Sequence, residues 1–302
     1  MDEVQINVKA IGINRAEVMF RNHAYLQEAD FPSRLGYEAA GVVLELGAGV
    51  SGFKPGDAVS LIPPLDIAKW GTYGEVANVP ARLLVKNPEG LSFEKAAAVW
   101  MQYVTAWGGL VDYAKLGDKD TVIITAASSS VGLAAIQVAR SVGATVIATT
   151  RTAEKRQALL DAGAHHVIAT EQESLVDRVM AITNGKGANI AFDPVVGPAF
   201  EALAASLTAG GILVQYGALS SEPTPFPPFT VLGKHLTLRG YIYTEVVGDD
   251  AALERAKAFI TQGLRSGALD PVIARTFPLD QIQDAQRFLE SNGQIGKVIV
   301  TV

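Results

Sequence analysis

The sequence contains no cysteine. No disulfide, thiolate nucleophile, iron–sulfur cluster or Cys-ligated zinc can therefore form from this chain. Histidine is scarce, at His23, His165, His166 and His235, and no pair has the HExxH spacing of a helical metal site. No apolar run approaches the ~20 residues that a membrane helix needs. The opening residues, Met1 to Gln5, lack the basic and apolar character of a secretory signal. Excess positive charge is missing too: 25 basic against 31 acidic side chains leave a net charge of −6. That balance argues against nucleic acid or an anionic membrane as a partner. The expectation is a cytoplasmic protein.

What is present is apolar surface. In 302 residues, 49% are hydrophobic and 19% charged, enough for two domains with buried cores. The first third reads as short strands, such as Gln5–Ile11, Ala39–Leu46 and Asp57–Ile62, with Gly/Pro punctuation. From Phe93 the character changes to helical composition, and strands then alternate with helices. Strands are expected at Thr121–Ala126, Thr145–Thr150, His165–Ala169, Ile190–Asp193, Ile212–Tyr216 and Leu236–Tyr241. The helices between them include Val131–Val142, and Ala199–Leu207 closed by Ala209-Gly210-Gly211. The pattern predicts an α/β, doubly wound parallel sheet. Four prolines within Ser221–Pro228 predict an extended loop. The domains are expected at 1–95, with 246–302 packing back on it, and at 96–245.

The strand–turn–helix from Thr121 to Gln137 carries the first functional signal. Ser128, Ser129, Ser130, Val131 and Gly132 make a small-residue turn at a helix N-terminus, where amides and the helix dipole can receive a diphosphate. GxGxxG is absent, and serines at a helix start are also ordinary caps, so phosphate binding and capping stay open here. The next strand end reads Thr150, Arg151, then Lys155 and Arg156, where an NAD site places an acid. Cations there suit a 2′-phosphate and predict NADPH. Gly217, Ala218 and Leu219, after the fifth strand, are expected to pass the nicotinamide edge.

These motifs resemble the medium-chain dehydrogenase/reductase superfamily, and within it the zinc-independent NADPH:quinone oxidoreductases. The markers are Ala10-Ile-Gly-Ile-Asn14-Arg, Leu35-Gly-Tyr37-Glu38-Ala-Ala-Gly41, Phe53-Lys-Pro-Gly-Asp57, Gly71-Thr-Tyr-Gly-Glu75, Thr105-Ala-Trp107, Asp193-Pro-Val and Gly296-Lys297-Val-Ile-Val. The resemblance implies a GroES-like barrel beside the Rossmann domain, and a homodimer or homotetramer. It places Asn14 and Tyr37 where zinc-dependent relatives carry metal ligands, so no metal is expected. It further implies catalytic roles for Asn14 and Tyr25. Tyr37, Tyr103 and Tyr241 are candidate pocket residues, Thr105 lies beside the nicotinamide, and Asn292 is a candidate at the 2′-phosphate end. Trp100, Tyr103 and Trp107 also have the spacing of core aromatics. Relatives carry a further N-terminal segment, so an incomplete barrel with an unpaired strand edge is expected. The implied activity is hydride transfer to a small-molecule quinone or α,β-unsaturated carbonyl. The alternatives are an enoyl-thioester reductase of the same superfamily, or a cofactor-binding protein with little turnover.

Overall fold

The computed structural model describes residues 2–302, which divide into two compact units. Unit 1 comprises residues up to Gln102, Val247–Arg265 and Asp270–Val302; unit 2 comprises Tyr103–Val246 and Ser266–Leu269.

Unit 1 opens with β1 (Glu3–Ile13), α1 (Arg15–Arg21), β2 (Glu38–Leu46), β3 (Ala58–Leu61), α2 (Ile67–Trp70), β4 (Val76–Pro80), β5 (Leu84–Lys86) and α3 (Phe93–Ala96). The next helix, α4 (Trp100–Trp107), carries the chain into unit 2 and continues as a π-helical turn at Gly108–Tyr113. Val4, Ile6, Val8 and Ala10 alternate inward along β1, as a strand with one buried face requires. β1 is not an edge. It pairs with β2 over most of its length, with β4 at Glu3–Asn7, and with the C-terminal strand β13 (Lys297–Thr301) at Ala10–Ile13. The unpaired edge expected at the start is therefore absent from β1, because β4 and β13 share its second side. Gly12 is required there: a Cβ would lie 2.2 Å from the Ala97 carbonyl oxygen and 2.9 Å from the Glu38 side chain.

Unit 2 builds β6 (Thr121–Ile124), α5 (Ser130–Ser141), β7 (Thr145–Thr150), α6 (Arg156–Asp161), β8 (His166–Ala169), α7 (Leu175–Ile182), β9 (Ala188–Asp193), α8 (Phe200–Ala205), β10 (Leu207–Gln215), α9 (Pro228–Lys234), β11 (Thr237–Gly240) and α10 (Thr244–Val247). All strands are parallel, in the order β11-β10-β9-β6-β7-β8. Ile123, Ile147, Ile168, Ala191 and Leu213 from the strands pack with Val179, Phe200 and Leu203 from the helices. Strands covered on both faces explain the continuous apolar runs in the sequence. The reversal point lies between β6 and β9, where doubly wound sheets bind ligands at the carboxyl ends.

One segment departs from expectation. The helix expected at Ala199–Leu207 ends at Ala205, and Ala209-Gly210-Gly211 lies inside β10 as a bulge, with Gly210 at φ +74°. α11 (Asp250–Ser266), β12 (Ile273–Pro278) and α12 (Ile282–Glu290) complete the chain before β13. Among the described residues no helix is long and apolar enough to cross a membrane.

Candidate functional site

Unit 2 carries a dinucleotide-type turn. After β6 the chain bends through Ala126 at φ +45°, and Ser129 caps α5, its hydroxyl accepting from Gly132 N at 3.0 Å. Capping is therefore real, and it does not consume the helix end. The Ser130 and Val131 amides occupy first-turn positions that have no intrahelical acceptor. Gly132 lets the turn close on the helix, since a Cβ would lie 2.6 Å from the Ala126 and Ala127 carbonyl oxygens. Lys155, beyond β7, donates to the Ser128 hydroxyl at 3.3 Å. Burial lowers the pKa of Lys155, and the neighbouring Arg151 guanidinium lowers it further. Two cations are thus held close together at the end of β7, beside Thr150. Arg156 is not one of them: it donates to the Val167 carbonyl at 2.6 Å and pairs with Glu173.

Gly217, Ala218 and Leu219 follow β10 and lean on the turn after β9. Leu219 N donates to Pro194 O at 2.9 Å, and Ser220 N to Val195 O at 3.0 Å. That turn hangs on Asp193, 2% exposed, which accepts from Val195 N, Val196 N and the Thr125 hydroxyl. Val196 sits at φ +58°, a strained conformation for a β-branched residue, and the Asp193 contacts hold it. The small-residue turn, the α5 amides and the cationic corner fit a dinucleotide diphosphate carrying a further phosphate.

Three predicted site residues of unit 2 are buried. Tyr103 is fully buried with its hydroxyl on Gln137 Oε1 at 2.5 Å. Tyr241 is buried with its hydroxyl on the Val104 carbonyl at 3.2 Å. Both hydroxyls are thus hydrogen-bonded inside the unit. Thr105 is likewise buried within α4.

Unit 1 holds a buried polar network. Lys297 and Glu38, each 1% exposed, form an ion pair. Glu38 also accepts from Met101 N at 2.9 Å and from the Asn14 amide at 3.3 Å. The Asn14 carbonyl oxygen accepts from Lys297 at 2.6 Å, and its amide also donates to Gly12 O at 3.1 Å. Glu17, fully buried in the first turn of α1, accepts from Tyr37 N at 3.1 Å, Asn14 N at 3.3 Å and the Tyr73 hydroxyl. Gln286 on α12 donates to that same hydroxyl at 2.6 Å. Tyr25 is half-buried and shares a side-chain hydrogen bond with the buried Tyr37; burial raises its pKa. Asn292 ends α12 in the left-handed region and takes a hydrogen bond from Arg15.

Glu17, Tyr73, Gln286 and the Glu38–Lys297 pair went unrecognised as site residues in the sequence. Only the Asn14-to-Glu17 spacing, an Asn followed three residues later by Glu, carried a signal, that of a capping box. Burial raises the Glu17 pKa to about 7, against the opposing hydrogen bonds from Tyr73 and the Asn14 amide. An unfolded chain ionises this residue near 4.5, while the folded one keeps the proton to about 7. Between those values the folded state binds the extra proton, so the free energy of unfolding falls as pH rises, by about 3 kcal/mol in all. Glu17→Gln should lack this slope, which denaturant unfolding at about pH 5 and about pH 8 would show; an unchanged slope would refute the assignment.

Among the described residues no three His, Cys, Asp or Glu side chains gather as a metal site. The donors at the positions suggested by resemblance are an amide oxygen and phenols, beside a carboxylate already held by Lys297. That set does not match the His, Cys and free carboxylate ligands zinc prefers.

A six-stranded doubly wound sheet with a small-residue dinucleotide turn, joined to a second sheet domain, defines an oxidoreductase of the medium-chain dehydrogenase/reductase class. The family model for zinc-binding dehydrogenases matches residues 130–261, and that for the alcohol dehydrogenase GroES-like domain matches residues 1–89. Quinone oxidoreductase 1 of Escherichia coli (strain K12) is 32% identical, over 99% of this chain and 91% of its own length. A crystal structure of Escherichia coli quinone oxidoreductase complexed with NADPH superposes with a TM-score of 0.90 at 31% identity, covering 100% of this chain and 92% of that one. A crystal structure of an NAD-dependent alcohol dehydrogenase gives 0.91 at 29% identity, with the same coverage. The chain belongs to the quinone oxidoreductase family of this superfamily.

Proposed function

We propose that this chain is a zinc-independent, NADPH-dependent reductase of quinones or α,β-unsaturated carbonyls, working as a homodimer or homotetramer. The observation that carries it is the cationic corner of Arg151 and Lys155 at the end of β7, where an NAD enzyme would carry an acid. The cofactor, when bound, would supply a hydride, which carries both electrons of the reduction. The Ser130 and Val131 amides would receive its diphosphate, and Arg151 and Lys155 its 2′-phosphate. The strip Gly217–Leu219, held by the Asp193-anchored turn, offers backbone to the nicotinamide end.

Hydride addition leaves an electron pair on the substrate oxygen. Tyr25, half-buried and hydrogen-bonded to Tyr37, is the donor proposed for that oxyanion, and it draws its replacement proton from solvent. Asn14, suggested as a donor by resemblance, has its amide committed to Gly12 and Glu38 and its oxygen to Lys297. Its role in this reading is to fix the Lys297 ammonium rather than to touch the substrate.

Purified protein mixed with NADPH and benzoquinone, phenanthrenequinone or a simple enone should consume reduced cofactor well above the blank. Tyr25→Phe should lower kcat about 10–100-fold with little change in NADPH affinity. NADPH binding without turnover on any acceptor would reject the reductase reading. Stoichiometric zinc whose removal abolishes activity would reject its zinc-independence.

A further inference from the structure

One buried carboxylate holds the backbone of both residues that the resemblance puts on the substrate side. Glu17 Oε1 takes Tyr37 N at 3.1 Å, and Oε2 takes Asn14 N at 3.3 Å. These two residues lie 23 positions apart, one capping α1 and the other just before β2. Glu17 also accepts from the Asn14 side-chain amide at 3.5 Å and from the Tyr73 hydroxyl, whose oxygen in turn accepts from Gln286. The Gln286 oxygen, Oε1, is buried without a partner. Such an orphaned acceptor costs free energy unless the network has a second arrangement that uses it. One exists: a protonated Glu17 donates to the Tyr73 oxygen, and Tyr73 then donates to Gln286 Oε1 once that amide has turned over, its NH2 taking the place the oxygen held.

We propose that Glu17 is a positioning residue whose ionised form clamps the Asn14 and Tyr37 backbone together, with Tyr73 and Gln286 as the hydrogen-bond chain that reverses when Glu17 takes a proton. The charges around it favour both forms. Lys297 is the cation nearest in the network, but it is paired with Glu38, so its field reaches Glu17 only as a secondary influence. Around it, Asn14 faces Glu17 from the N-cap of α1, Tyr37 from the residue before β2, Tyr73 from the segment before β4 and Lys297 from β13, while Gln286 on α12 reaches it through Tyr73. Arg21 acts on Tyr73, and Tyr25 reaches the network through Tyr37. Two carboxylates against one ammonium leave the site balanced only when one carboxylate is neutral. The pKa of about 7 places this exchange near neutrality.

The catalytic consequence rests on the reading above that this side of unit 1 meets the substrate; the clamp itself does not. The test therefore has two arms. In 15N-labelled protein, the Asn14 and Tyr37 amide resonances should shift together with a midpoint near pH 7 in the wild type and stay flat in Glu17→Gln. Tyr73→Phe, which removes one donor to the carboxylate, should move the midpoint upward. In steady-state assays with NADPH and benzoquinone, KM for the quinone should fall about fivefold as pH rises through the same midpoint, with kcat less affected, and the inflection should vanish in Glu17→Gln. Amides that do not titrate between about pH 6 and 8, or that titrate equally in Glu17→Gln, would overturn the proposal. Titrating amides with no measurable turnover would leave the clamp standing and reject the reductase reading instead. Because the wild-type titration and Tyr73→Phe read the clamp directly, the proposal stays testable even if Glu17→Gln fails to fold.

Discussion

Replacing Lys297 with methionine should lower the free energy of unfolding by about 3–5 kcal/mol at neutral pH, the usual penalty for orphaning one half of a buried ion pair. Lys297 and Glu38 are each 1% exposed, so water cannot take over the lost partner's work. Two neutral donors, Met101 N and the Asn14 amide, would remain on the Glu38 carboxylate. They satisfy lone pairs but supply no countercharge. The double variant Glu38→Gln with Lys297→Met should recover most of the loss, because removing both charges also removes the desolvation penalty. Gln keeps an oxygen for the Met101 amide, so the hydrogen bond that anchors the start of α4 survives. Urea unfolding of wild type, both single variants and the double variant closes the cycle. A Lys297→Met loss below about 1 kcal/mol, or a double variant no more stable than that single one, would show that the pair is not what holds this corner.

The Glu38–Lys297 pair also marks the limit of what could be read from the chain. The six parallel strands of unit 2 were legible because strands covered on both faces must be continuously apolar, and because Gly143 and Gly163 close the helices between them. The same reasoning failed at Ala209-Gly210-Gly211. Glycines after a helix look like a cap, yet Gly210 here opens a bulge at the start of β10. At the turn after β6, the sequence shows a strand, a small-residue turn and a helix, and geometry was needed to separate the cap, Ser129, from the amides of Ser130 and Val131. Lys155 and Arg156 are adjacent in sequence and equivalent by charge. Only the structure turns one toward Ser128 and the other toward Glu173. The buried network was invisible for a different reason. Its members lie up to 283 residues apart, as with Lys297 and Asn14, and no local period or motif links them. A Glu in the first turn of a short helix reads as solvated; full burial beneath Tyr37 and Tyr73 makes it a hub.

That division between Lys155 and Arg156 yields the other large effect. Arg151→Ala with Lys155→Ala should weaken NADPH binding about 10²–10⁴-fold while leaving NADH within about twofold. Each charge-assisted contact to a phosphate contributes about 1.5–3 kcal/mol, and NADH has no 2′-phosphate to lose. In the ligand-free chain these cations repel, and Lys155 bears that repulsion together with partial burial. A dianionic phosphate relieves both, so the site gains more from NADPH than exposed side chains would suggest. Arg156→Ala is the informative control. It removes the contacts to Val167 O and Glu173, so it should reduce stability while leaving the NADPH-to-NADH ratio unchanged. Added salt should narrow the wild-type preference and leave the double variant indifferent, since screening acts only where charges remain to be screened. Fluorescence titration of both cofactors against all three proteins decides the matter. Equal wild-type affinity for NADH and NADPH, or a double variant that loses both in parallel, would mean that this corner does not select the phosphate.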